Sequence, residues 1–271
     1  MQNLSKLAVI GAGKMGETLI KALLDAKMLA ADQIVATVKH ANRVDEVATR
    51  LGAPITLDNR AAIKSADVIL LCVKPQALRD VLAEIKPVIS NDQLVISIAA
   101  SATTSFIERQ LEKGVPVVRS MPNTPTLVRA GMSVLCRGAH ATEEHLKRAC
   151  KIFEAVGRTL IIDEKYMDAV TALSASGPAY IYIILESLAE GGVKVGLPRN
   201  VATELAAQMC FGAAKMVLET GAHPALLKDA VTTPAGCTID GILQLEEGGL
   251  RVTLIKAVVE ATRRAAQLIE S

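Results

Sequence analysis

The sequence predicts an α/β protein in two parts: a doubly wound sheet over residues 1–163 and an all-helical region over residues 164–271. Three observations carry this expectation. Short apolar runs alternate with amphipathic stretches from residue 6 to about residue 163, as in strand-helix-strand units of a parallel sheet. Strand signals then stop, and the rest of the chain consists of long stretches with few helix breakers. The chain has 271 residues and is 51% hydrophobic, so it can bury a large core and is not disordered.

Strands are expected at 7–10, 34–37, 68–73, 94–99, 115–118, 133–136 and 159–162. Segment 68–73 is apolar at every position, the mark of a central strand covered on both faces. Helices are expected at 165–191, 198–219 and 249–270. In the last, Leu250, Leu254, Val258, Ala261, Ala265 and Leu268 fall on one stripe. Residues 179–188 are apolar nearly all round, with Ile181, Ile183, Ile184, Leu185 and Leu188, so that helix must be wrapped by others. A helical region this short cannot cover so much apolar surface alone, and a second copy of the chain is expected to supply the rest.

Composition removes several classes of function. Thirty Lys and Arg against 28 Asp and Glu give +2, and three Tyr, three Phe and no Trp leave too few rings to stack bases, so nucleic acid is not the partner. Unbroken apolar runs such as 68–73 are far shorter than the roughly 18 residues that span a bilayer, and the first residues show no signal-peptide pattern. A soluble, cytoplasmic chain without membrane contact is expected. The five cysteines (Cys72, Cys136, Cys150, Cys210, Cys237) are odd in number and never spaced as CxxC, which argues against a disulfide frame or a zinc site. The first four read as buried small hydrophobes. His40, His140, His145 and His223 take part in no Ser/His/Asp or HExxH pattern, so no metal is expected.

The segment from Leu7 to Gly16 reads L-A-V-I-G-A-G-K-M-G, a GxGxxG at Gly11, Gly13 and Gly16 with Lys14 and Met15 inside it. It follows a strand and opens an amphipathic helix carrying Ile20, Leu23 and Leu24. Gly11 permits a tight turn, Gly13 lets the backbone approach a pyrophosphate, and Gly16 lets helix and strand pack closely. A helix start offers free N–H groups to that anion. These features point to a dinucleotide. An NAD site usually has an acid at the end of the next strand. Here no acid precedes Asp45, and Thr37, Lys39, His40 and Arg43 would suit a 2′-phosphate, which favours NADPH with NADH possible. Lys39 and Arg43 are equally compatible with an ordinary solvated helix start.

Val73, Lys74 and Pro75 lie where the central strand ends, the usual place for ligands in open α/β sheets. Pro75 stops the strand and begins a helix. Lys74 either faces an anionic substrate or snorkels beside the strand. Ala99, after the following strand, is small enough to let a nicotinamide ring approach. The run T-T-P-A-G-C-T from Thr232 to Thr238 precedes an amphipathic helix, and the free N–H groups of about Gly236 to Thr238 form a carboxylate-binding device. Thr238 can cap that helix, hydrogen-bond a ring nitrogen, or do both. Gly177 and Pro178 shape the start of the long apolar helix, where Tyr180 reads as core.

Four motifs together resemble a known family: C-V-K-P-Q from Cys72, M-P-N-T-P from Met121, S-G-P-A-Y from Ser176 and D-A-V-T-T-P-A-G-C-T from Asp229. In order and spacing they are similar to pyrroline-5-carboxylate reductases, over essentially the whole chain. The resemblance implies a Rossmann-type domain, a helical domain through which subunits dimerise and often form rings of dimers, and reduction of 1-pyrroline-5-carboxylate to L-proline. It further implies a substrate loop containing Val231, Thr233, Gly236, Cys237 and Thr238, with Thr238 orienting the ring nitrogen. It places Asn123 beside the nicotinamide and Asn59 on the adenosine side, although a helix cap explains Asn59 equally well. Two departures are visible: the family's Pro-Gly-Gly is Pro234-Ala235-Gly236 here, and Cys237 stands where Ala or Thr is common. Two rival functions remain open. A β-hydroxyacid dehydrogenase would need a helical-domain lysine as general base, and none lies between Lys165 and Lys194. A dinucleotide-binding scaffold without turnover would use the 232–238 loop only as a helix cap.

Overall fold

A computed structural model describes residues 6–267 of the chain. It forms two compact units. One runs to Ala175 and takes in the chain again from Ala261, and the other is Ser176–Glu260.

The first unit is built on one sheet of eight strands: β1 (Leu7–Ile10), β2 (Ile34–Thr37), β3 (Ile55–Thr56), β4 (Val68–Leu71), β5 (Leu94–Ser97), β6 (Val117–Pro122), β7 (Gly131–Arg137) and β8 (Gly157–Ile161). Their order is β3-β2-β1-β4-β5-β6-β7-β8, so the sequence direction reverses between β1 and β4. Ligands of doubly wound sheets bind at such a switch point. The sheet is parallel except where β6 and β7 run antiparallel, with Pro122 opposite Ser133. The expected doubly wound, mainly parallel sheet thus carries one antiparallel pair. The link from Pro122 to Gly131 is a 3-10 turn over Thr124–Val128, too short for a crossover helix, so the chain must double back.

Successive residues of the central strands enter different cores. Leu7, Val9, Val68 and Leu70 pack on one side with α1 (Lys14–Asp25), α2 (Val44–Leu51) and, further along the chain, α6 (Glu143–Glu154). Ala8, Ile10, Ile69 and Leu71 pack on the other with α3 (Asn59–Ile63), α4 (Pro75–Ile85) and α5 (Thr104–Leu111). The all-apolar central strand is therefore covered on both faces, as its composition requires. Strand ends differ from expectation in understandable ways. β4 stops two residues early because Pro75 already opens α4. β6 runs on to Pro122 because β7 pairs with it that far. The two-residue β3 is too short to leave a pattern in the sequence.

The change of pattern at Asp163 does not coincide with the division at Ala175. Arg119 of β6 is 2% exposed, and it meets Glu164 at 3.3 Å and Asp168 at 3.9 Å. Glu164 also accepts hydrogen bonds from the amide and the hydroxyl of Thr104. Met167 of the short helix α7 (Met167–Val170) is buried with Met121, Val134 and Cys136. These contacts fasten 164–175 to the sheet although that segment has no strand character.

The expected helix over 165–191 is broken into a 3-10 turn at Glu164–Tyr166, α7, a π-helical segment at Thr171–Ala175 and α8 (Gly177–Lys194). α9 (Arg199–Thr220), α10 (Pro224–Ala230), α11 (Cys237–Glu247) and α12 (Leu250–Gln267) complete the element order. Leu268 and the end of the helix expected to residue 270 lie outside the described residues. α8 meets α9 closely at Gly192, where a Cβ would come within 2.9 Å of the Ala202 methyl. Within the second unit only Ala189, Ala202 and Ala206 are buried among the described residues. The apolar stretch 179–188 is thus not wrapped within the unit, and Ile183 is 63% exposed. Glu164–Lys194 and Arg199–Thr220 are long and apolar enough to cross a membrane by length and composition alone, which short unbroken runs had concealed.

Candidate functional site

The glycine turn joins β1 to α1, and each glycine has its own reason to be there. Gly11 has φ +93°, and a Cβ on it would lie 2.9 Å from Val73 Cγ1. A Cβ on Gly16 would lie 2.7 Å from the carbonyl oxygen of Gly11, so the helix could not sit so close with any side chain there. A Cβ on Gly13 would meet nothing within 4 Å, which leaves open space above the helix start. Gly13 is the N-cap of α1 and offers no side-chain cap, so amides of the first turn point toward that space. The geometry fits a dinucleotide pyrophosphate. Lys14 is exposed beside it, and Met15 is half-buried with its sulfur accepting from Thr126 Oγ1.

At the end of β2 the expected residues divide. Thr37 is 3% exposed, and its hydroxyl accepts from the Gly11 amide at 3.1 Å while its carbonyl accepts from Ala12. It braces the glycine turn. Lys39 and His40 are exposed. Arg43 is ion-paired with Glu17 of α1 at 2.8 Å. Asn59 is not the cap of α3: Asp58 caps that helix by accepting from Ala61, and Asn59 Nδ2 donates to Glu84 at 2.8 Å.

Beyond β4 and β5, Pro75, Gln76, Arg79, Ala100 and Ser101 line a cavity of ≈390 Å³. Pro75 sits in the first turn of α4, Lys74 is its exposed N-cap, Val73 packs against Gly11, and Ala99 is buried. Ser101 holds a left-handed φ of +63°, a conformation costly for a residue with a Cβ. Nothing in its local sequence announces this. Burial pushes the Cys72 thiol up, and burial beside Glu164 pushes Cys136 up to about 12, so both stay protonated. Asn123 proves to be a clasp: Nδ2 donates to Ser174 O at 3.3 Å and Oδ1 accepts from Met132 N at 2.9 Å, which locks the loop between β6 and β7.

In the second unit, Gly236 is the N-cap of α11 with no side-chain cap, so Thr238 is the second helical residue and not the cap. Of the three amides expected to be free, that of Gly236 donates to Thr233 O. Those of Cys237 and Thr238 have no partner among the described residues. The turn is tight, because a Cβ on Gly236 would collide with Thr233 Oγ1. Ala235 has φ +57°, the left-handed region that glycine occupies without penalty. Val231, Thr233 and Cys237 are exposed, while Gly236 and Thr238 are partly covered. Thr232 Oγ1 donates to Lys228 O and ties the loop to α10.

The first unit thus carries an open glycine turn at the start of α1, and the second an uncapped helix start at α11. Residues 164–268 match the family model for pyrroline-5-carboxylate reductase dimerisation, and residues 6–101 match that for NADP oxidoreductase, coenzyme F420-dependent. A pyrroline-5-carboxylate reductase of Methanosarcina acetivorans is 44% identical over 99% of each chain. The chain belongs to the pyrroline-5-carboxylate reductase family. Among solved structures, the Coxiella burnetii reductase superposes with a TM-score of 0.92 at 36% identity, covering 98% of this chain and 99% of the other. The Plasmodium falciparum pyrroline carboxylate reductase, solved with NADP bound, gives 0.88 at 29% identity over 99% and 100%.

The chain is accordingly an NAD(P)H-dependent oxidoreductase that reduces the C=N bond of 1-pyrroline-5-carboxylate to give L-proline, with NADPH as its cofactor. Its helical part is of a dimerisation family, and the protein is a homo-oligomer acting on a small molecule. This sets aside the hydroxyacid dehydrogenase and the scaffold.

Proposed function

We propose that the helix start at α11 is the carboxylate grip of this reductase and that Thr238 is its catalytic residue. The observation that carries the reading is the pair of unpartnered amides on Cys237 and Thr238 beside a threonine hydroxyl, at a positive helix end. The amides of Cys237 and Thr238 hold the substrate carboxylate. The Thr238 hydroxyl accepts from, or donates to, the ring nitrogen and fixes the plane of the imine. Val231, Thr233 and Gly236 shape the loop around the ring. When bound, NADPH supplies hydride to the imine carbon. A proton on nitrogen then completes the secondary amine, and a cyclic imine acquires that proton readily, so no strongly acidic side chain is needed.

The cofactor side rests on the turn at Gly11, Gly13, Lys14, Met15 and Gly16, with Thr37 bracing it and Lys39 available to a 2′-phosphate. Val73, Lys74, Pro75 and Ala99 would border the nicotinamide, Asn123 would hold the neighbouring loop, and Asn59 would stand near the adenosine. In this reading residues 1–163 serve the dinucleotide and 164–271 serve substrate and assembly. We also propose that a second copy covers the apolar helices and that dimers assemble into a ring. Glu186, Glu190 and Lys194 on α8 and Glu204, Lys215 and Glu219 on α9 favour a protein partner over lipid, since each charge in a bilayer core is costly. Five free thiols suit a reducing cytoplasm.

Following NADPH and NADH absorbance in parallel with 1-pyrroline-5-carboxylate tests the reading. Consumption of cofactor with formation of proline, faster with NADPH, is expected. Cofactor binding without consumption would overturn it.

A further inference from the structure

We propose that Glu17 is a positioning residue that sets the preference between NADPH and NADH through its hold on Arg43. The inference rests on the reading that a 2′-phosphate lies at the end of β2. That end carries no acid for a ribose hydroxyl, and the Thr37 hydroxyl, which accepts from the Gly11 amide, bears no charge, so charge discrimination falls to the cations beyond it. Of these, Arg43 is not free. Its Nη2 lies 2.8 Å from Glu17 Oε1 and its Nε 3.8 Å from Glu46 Oε2. Arg50 completes the arrangement, with Nη2 2.8 Å from Glu17 Oε2 and Nη1 2.8 Å from Glu46 Oε1.

The four side chains close a ring of alternating charge with no formal net charge. Glu17 is its hub: it faces both arginines, and at 17% exposure it is the least solvent-screened of the four, against 36%, 45% and 56% for Arg43, Arg50 and Glu46. It also stands in the first turn of α1, at the positive end of the helix dipole. A dianionic 2′-phosphate must therefore share Arg43 with a carboxylate already in place. A ligand with a bare 2′-hydroxyl makes no such demand. The ring thus weakens NADPH selectively and narrows its advantage over NADH.

Glu17→Gln removes one negative charge and keeps the shape. On the cofactor-free protein, calorimetry with adenosine 2′,5′-bisphosphate and with 5′-AMP reads the effect without turnover. Glu17→Gln should bind the bisphosphate about fivefold more tightly, the scale of one unit charge a few ångströms away in a largely aqueous setting. Binding of 5′-AMP should stay within about twofold. In the assay, KM for NADPH should fall, KM for NADH should hold, and kcat with each should be unchanged. Glu17→Asp should restore the original ratio, and Glu46→Gln should shift it less in the same direction. Adding Arg43→Ala to Glu17→Gln should abolish the gain. Equal changes for both ligands, weaker bisphosphate binding, or a gain that survives without Arg43 would overturn the role of Glu17. Identical affinities for the two ligands in the unsubstituted protein and in Arg43→Ala would instead overturn the placement of the 2′-phosphate, and the proposal with it.

Discussion

In the nucleotide unit helices cover both faces of the sheet and every residue of β1 and β4 is buried, whereas in the helical unit the described residues bury only three alanines. Phe211, Ile183, Leu205 and Ile255 of the helical unit are each more than half exposed. Burying a large apolar side chain contributes about 1.5–3 kcal/mol, so the first unit holds most of its own stabilisation and the second leaves much of its own unused in a single chain. The difference teaches that the first half of the sequence is satisfied by its own helices, whereas the second leaves apolar helices uncovered, which the proposed second copy would cover.

That contrast can be broken at several points. The largest effect is expected at the seam, where Glu164→Ala leaves the buried guanidinium of Arg119 with only the longer contact to Asp168 at 3.9 Å. Stability should fall by about 3–5 kcal/mol, read by denaturant unfolding. A loss below about 1 kcal/mol would mean that 164–175 is not fastened as described. Next comes the uncovered helical face. Phe211→Glu should weaken self-association by about a hundredfold in analytical ultracentrifugation while NADPH affinity holds, because it removes a large apolar contact from one unit only. Unchanged assembly would show that this face is not covered by a second copy. Smaller and opposite in sign is Ala235→Gly. At φ +57° the exchange relieves a left-handed penalty of about 1–2 kcal/mol, partly offset by glycine's greater unfolded-state freedom. A net gain of about 0.5–1 kcal/mol is expected in a thermal melt. Smallest in energy is thiol reactivity at pH 8: Cys72 and Cys136, both held protonated by burial, should resist alkylation in the folded protein and react after unfolding.

The sequence is most legible where one physical rule acts alone. β1 and β2 stand where their apolar runs place them, since strands buried on both faces must be largely apolar. The three glycines are readable because backbone angle, open space and close packing each exclude a side chain. Legibility fails where distant residues decide. The antiparallel turn between β6 and β7 depends on the brevity of a link, and the segment after Asp163 belongs to the sheet because of a charge on Arg119 that no local pattern reveals. In the site, Asn59 pairs with Glu84, Thr37 serves Gly11, and Arg43 answers to Glu17 across 26 residues. Such pairings have no signature in spacing. The departure at Ala235, by contrast, is visible in the sequence and falls on a residue with positive φ.

The separation of roles between the two units is tested most directly by Thr238→Ala, with turnover and NADPH affinity measured on the same preparation. Turnover should fall by about a hundredfold, the usual scale for losing one hydrogen bond at the reacting group, while the Kd for NADPH stays within about twofold. Loss of both together, or turnover left intact, would contradict the account.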